Sequence, residues 1–142
     1  MTFQKVDPMN NRPSEDPKVL LIYGYTNGEL DSLISFLNMH NHEYILVSSE
    51  QTGLTLEELI TQKSVQQDPV PIPLQRTIVI SGYSQQELHM FLQNLKTLNV
   101  HRPIMATVTP TSKKWAFGNL VKELMLEHAQ MSKQHPSLKK NN

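Results

Sequence analysis

Two short segments concentrate the chemistry this sequence offers. Gly82-Tyr83-Ser84 and Thr109-Pro110-Thr111, the second followed by Lys113 and Lys114, carry hydroxyls, glycine-exposed backbone donors and positive charge. That is equipment for holding an anion or a polar metabolite at the start of a helix. Such a site would use Gly82, Tyr83, Ser84, Thr109, Thr111 and Lys113, with Lys113 adding charge and Tyr83 a wall or a hydroxyl. Gly24-Tyr25-Thr26 and Ser48-Ser49-Glu50 form a weaker copy, because Glu50 would repel an anion. Neither set places a nucleophile beside a base, so no catalytic residue is assigned and enzymatic activity is expected to be weak or absent. His40, His42 and His101 are the other capable group, since three imidazoles could ligate a metal. They fall in turns expected at the amino ends of strands, without a carboxylate to complete a shell, and read as solvent-exposed; neither metal nor cofactor is expected. Trp115, the single tryptophan, either covers the end of the sheet with its indole nitrogen bonded to a loop carbonyl or anchors an interface.

Composition narrows the classes further. The chain has 142 residues, 13 basic and 13 acidic side chains and no cysteine. Thiolate chemistry, disulfides and cysteine-bound metal centres are excluded outright. The cancelled charge gives no global field toward nucleic acid or anionic membranes, so neither is an expected partner. Met1 to Pro17 lacks the apolar stretch of a signal peptide, and no later run approaches the roughly 20 apolar residues of a membrane span. The expectation is a cytoplasmic protein.

The elements that must position these residues are legible from periodicity. Residues 1–17 read as a disordered arm. Val19-Leu20-Leu21-Ile22-Tyr23 is a continuous apolar run suited to a strand buried on both faces. Leu30, Leu33, Ile34 and Leu37 make one helical stripe, Tyr44 to Val47 a second strand, and Leu54 to Ile60 a short helix opened by Thr55 with Glu58 three residues on. Residues 63–76 form a proline-rich connection, with Pro69, Pro71 and Pro73 favouring extended backbone, read as a semi-rigid linker. Thr77 to Ser81 is the third strand, Leu88 to Leu98 a helix, and Ile104 to Val108 the fourth strand. The longest helix follows, with Trp115, Leu120, Val121, Leu124, His128 and Met131 near one face and His128 bordering the core. Residues 132–142 read as a disordered tail.

One unit occurs twice. Shifted by 58, Val19 to Leu37 falls on Thr77 to Leu95 with identities at Ile22/Ile80, Gly24/Gly82, Tyr25/Tyr83, Glu29/Glu87, Leu30/Leu88 and Leu37/Leu95; by the last helices the shift has grown to 61. The expected fold is therefore α/β, a duplicated βαβα unit (18–62 and 77–131) forming a four-stranded, mainly parallel sheet with flanking helices in one domain. Gly-Tyr-Thr/Ser-x-x-Glu also has a purely structural reading. Thr26 and Ser84 can cap helices while Glu29 and Glu87 reach back as in capping boxes, and Tyr25 and Tyr83 staple onto Leu30 and Leu88.

Ser81-Gly82-Tyr83-Ser84-Gln85-Gln86-Glu87-Leu88 and Ala106-Thr107-Val108-Thr109-Pro110-Thr111-Ser112-Lys113-Lys114-Trp115 carry a resemblance. Through them, residues from about Thr77 to Met131 resemble the small bacterial domain-of-unknown-function family numbered 3783. The resemblance implies a bacterial source and supports the fold; it implies no chemistry. Two functions stay open. One is a non-enzymatic interaction or regulatory module acting on an unknown protein partner or on a second copy of itself. The other is a small anion- or polar-metabolite-binding protein using loops at the carboxyl ends of the strands.

Overall fold

β1 (Val19–Tyr23) and β3 (Thr77–Ser81) are buried along their whole length, as continuous apolar runs should be when helices cover both faces. In the computed structural model, which describes residues 17–63 and 65–134, these two strands form the centre of the sheet. β2 (Tyr44–Leu46) and β4 (Ile104–Thr107) form its edges, in the order β2-β1-β3-β4. β1 pairs with β2 and β3 with β4 in parallel, whereas β1 and β3 are antiparallel, with Leu21 opposite Val79 at the middle of the register.

The helices make two outer layers. α1 (Asn27–Met39) and α3 (Gln85–Leu95) are the crossovers of the parallel pairs. They bury Leu33, Phe36, Leu37, Phe91 and Leu95 against Leu20, Ile22, Ile78 and Ile80. α2 (Leu56–Thr61) and α4 (Phe117–Gln134) bury Leu56, Leu59, Ile60, Phe117, Leu120 and Val121 against the alternate residues Val19, Leu21, Tyr23 and Val79 on the other face. Single 3₁₀ turns at Ser49–Gln51 and Ser112–Lys114 lead toward α2 and α4. Among the described residues no helix is long and apolar enough to cross a membrane.

Several expectations change. With the halves antiparallel, the carboxyl ends of the four strands do not share an edge: the turns after β1 and β2 lie at one end of the sheet and those after β3 and β4 at the other. The last helix starts at Phe117 rather than Trp115, because Ser112 to Lys114 take the tighter turn first. It runs through Gln134, so residues 132–134 are helical, and His128 is exposed rather than bordering the core. The rest of the proposed tail, the arm through residue 16, Ser64 and the side chain of Met131 lie outside the described residues.

The proline-rich connection is a docked strap. Buried Thr52 donates its hydroxyl to the carbonyl of Val70 at 3.0 Å and accepts from the Val70 amide at 2.9 Å. Val65 and Ile72 pack on the core beneath α2 and α4. Gly118 leaves the room: a Cβ there would stand 2.6 Å from Cβ of Val70.

Candidate functional site

The end of the sheet after β3 holds the sequence-predicted anion set, and its hydroxyls are committed locally. Gly82 turns the chain with φ +78°, a conformation glycine adopts without strain. Ser84 Oγ accepts from the amide of Glu87 at 3.1 Å, and Glu87 Oε1 accepts from the amide of Ser84 at 2.9 Å, closing the predicted capping box. After β4, Ser112 Oγ accepts from the amide of Thr109 at 2.9 Å while Thr109 Oγ1 accepts from the amide of Ser112 at 3.0 Å. The Lys113 amide donates to the Thr109 carbonyl at 2.9 Å, and Thr111 is exposed.

Tyr83 connects the two halves. Because β3 ends where β1 begins, Tyr83 lies beside the turn that precedes β2. Its hydroxyl is 2.6 Å from His42 Nδ1, and the two rings stack at 5.7 Å. Burial raises the Tyr83 pKa, with the charge of Glu87 adding to it. Burial likewise lowers that of His42, helped by His40 and Lys18. His42 is thus half-buried and not the exposed turn residue expected. Lys18 ion-pairs with Glu87 at 2.6 Å, and its ammonium lies 5.3 Å from the Tyr83 ring centroid. That hydrogen bond from Lys18 is the chief reason the Glu87 pKa is lowered.

The opposite end repeats the plan with different bonds. Gly24 has φ +91°, Tyr25 Oη donates to the carbonyl of His101 at 2.8 Å, and Arg76 ion-pairs with Glu29 at 2.7 Å. Burial, then the Glu29 charge, pushes the Tyr25 pKa up to about 12. The first capping box is not formed. Asn27 takes φ +56° and Thr26 makes no side-chain cap bond, which leaves the Glu29 carboxylate to accept from the amide of His101 at 2.6 Å and to meet its Nδ1 at 2.7 Å. These bonds, led by the His101 amide, hold the Glu29 pKa down to about 2. A carboxylate therefore does stand beside a turn histidine. Among the described residues, however, no group of three histidine, aspartate or glutamate side chains is placed to hold a metal ion.

A third feature was not anticipated. Beside the outer edge of β4, α3 and the turn after it enclose a groove of about 530 Å³, with Leu92, Leu98, Val100, Pro103 and Met105 as apolar lining and Lys96 and Arg102 as cations. His89 and His101 also line it; among the described residues no carboxylate does. Met105 is 36% exposed and Met90, on the outer face of α3, 54%. The amide of Ile104 donates to the carbonyl of Arg76, just before β3, at 2.9 Å, and that of Val108 to the carbonyl of Ile80 at 2.8 Å. By alternation, the N–H and C=O groups of Met105 and Thr107 point to the open edge. Lys96, Arg102 and Met105 had no motif to announce them. Trp115, 39% exposed, sits apart from this groove, at the turn before α4.

The sequence profile of Domain of unknown function (DUF3783) matches residues 76–131, the segment carrying the Gly-Tyr-Ser and Thr-Pro-Thr turns, β3, α3, β4 and most of α4. No curated protein and no solved structure matches the chain.

Proposed function

We propose that this chain is a non-enzymatic interaction module of the bacterial cytosol, built by duplication of one βαβα unit, which engages a protein partner through the open edge of β4 and the groove beside it. The observation that carries this reading is the coincidence of unpaired strand edge, apolar groove and local positive charge at one place, the arrangement by which extended segments are bound. The polar groups of the turns after β3 and β4 are engaged within the fold: Ser84 in its cap, Thr109 with Ser112, Tyr83 with His42. Duplication is supported by contacts that come in exchangeable pairs. Lys18 with Glu87 matches Arg76 with Glu29 at the shift of 58. Leu56 N–H to the Trp115 carbonyl at 3.1 Å matches Phe117 N–H to the Leu54 carbonyl at 2.8 Å at the shift of 61.

The test is a photo-crosslinking residue placed at Met105 in bacterial cells. A discrete protein adduct, lost when Thr107→Pro blocks the edge, is the expected result. The competing reading is an anion or polar metabolite among Gly82, Tyr83, Ser84, Thr109, Thr111 and Lys113. It would prevail if no adduct forms while a phosphate, nucleotide or carboxylate raises the melting temperature of the wild type but not of Lys113→Glu.

A further inference from the structure

We infer that the segment seated on β4 is an acidic strand, an extended stretch of a partner polypeptide in which apolar residues alternate with carboxylates; this rests on the interaction reading above. Backbone geometry sets the mode. Met105 and Thr107 present their amide and carbonyl groups outward from a terminal strand, so an incoming strand gains main-chain hydrogen bonds without disturbing the β3 ladder. Side-chain geometry sets the alternation. Met105 pairs with Ile78, which belongs to the layer under α3. Every second side chain of an added strand would therefore point to that same face, toward Leu92, Leu98, Val100 and Pro103.

Charge sets the sign. The chain as a whole is neutral, with 13 basic and 13 acidic residues, yet among the described residues this groove is lined by Lys96 and Arg102 and by no carboxylate. Glu29 is held by Arg76 and, within the groove lining, meets His101 alone, so Lys96 and Arg102 remain to select carboxylates on the incoming segment. A second copy fits less well. The β4 of a second copy, Ile104–Thr107, would bring no carboxylate to Lys96 and Arg102.

The experiment uses the full chain and a fluorescein-labelled peptide of about nine residues, the length of a long strand. It alternates glutamate with isoleucine or valine, and its counterpart carries lysine for each glutamate. Fluorescence anisotropy should show the acidic peptide binding at least about ten-fold tighter than the basic one, with the order reversed by the double variant Lys96→Glu, Arg102→Glu. Thr107→Pro, which removes only an outward N–H, should weaken binding about ten-fold while circular dichroism stays unchanged. Equal binding of the two peptides overturns the charge assignment. Undiminished binding to Thr107→Pro overturns strand addition in favour of a ligand held by the groove alone. A dimer in sedimentation that Thr107→Pro dissociates makes the occupant a second copy. If the Met105 crosslink yields its Thr107-dependent adduct while the acidic peptide fails to bind, the interaction module stands and the acidic strand falls; if both fail, both fall.

Discussion

Replacing Ser84 and Thr26 by alanine should have unequal effects, although the two residues occupy matching places in the sequence. Ser84 is 6% exposed and accepts from the Glu87 amide at 3.1 Å. Truncation leaves that amide without its acceptor near the buried start of α3, where the Glu87 carboxylate remains tied to the Ser84 amide. The loss of a working cap, in a site with little access for replacement water, costs about 1–2 kcal/mol. Thr26 is exposed and makes no side-chain cap bond, because Asn27 takes φ +56° and removes the helix start from its reach. Its replacement should stay within about 0.5 kcal/mol, the range of surface substitutions. In urea titrations with a slope of about 2 kcal/mol/M, Ser84→Ala should lower the midpoint by about 0.5–1 M and Thr26→Ala hardly at all. Equal losses would refute the inference that only the second cap is formed. A full-stability Ser84→Ala that loses a phosphate or metabolite would show that the hydroxyl serves a ligand instead.

Three further outcomes are expected. Glu29 has its pKa lowered from 4.5 to about 2, so the unfolded chain takes up the proton first: its contribution to stability is complete above about pH 4.5 and is lost as the pH falls toward 2. Glu29→Gln should remove that part of the acid limb in melting curves collected across this range. His42 also has a lowered pKa, through burial with His40 and Lys18 opposing its charge and Glu87 favouring it. Stability should therefore decline as the pH drops below the ordinary histidine value near 6.5, and His42→Leu should flatten this decline. Gly118→Ala should cost about 1–3 kcal/mol in denaturant titrations, because the new Cβ would stand 2.6 Å from Cβ of Val70 and must push the strap off the core.

Much of this architecture was readable because it is local. Strand burial, helix stripes and the Ser84–Glu87 box depend on residues a few positions apart, and their spacing alone identifies them. The sense in which the halves join is not local. Val19 to Tyr23 and Thr77 to Ser81 are apolar on both faces, so either strand could pair in either direction. Assuming one shared sheet edge placed the histidine turns far from the Gly-Tyr turns, when antiparallel joining sets them side by side. Two clues lay in the chain. Lys18 and Arg76 are 58 apart, the same interval as Glu29 and Glu87, which marks two crossed ion pairs. Asn27-Gly28 is a dipeptide suited to left-handed backbone, the reason the first capping box fails. The β4 groove left no such trace, since Leu92, Leu98, Pro103 and Met105 become one surface only when α3 settles on the sheet.

The antiparallel join also bears on what residues 76–131 mean as a unit. Within that segment Tyr83 and Glu87 are present, but His42 and Lys18, which bind them, come from the first half. The inner edge of β3 is covered by β1 along five paired residues, all buried. An isolated strand edge this apolar is a site of association, so the first half serves the second as a built-in partner on its inner side. Among the described residues β4 has no counterpart on its outer side. The two edges of the matched unit thus differ in kind: one is closed by an apolar strand of the same chain. The other offers open main-chain groups, an apolar groove and two cations, and that difference is why the search for a partner belongs at Met105 and Thr107 rather than at the Gly-Tyr turns.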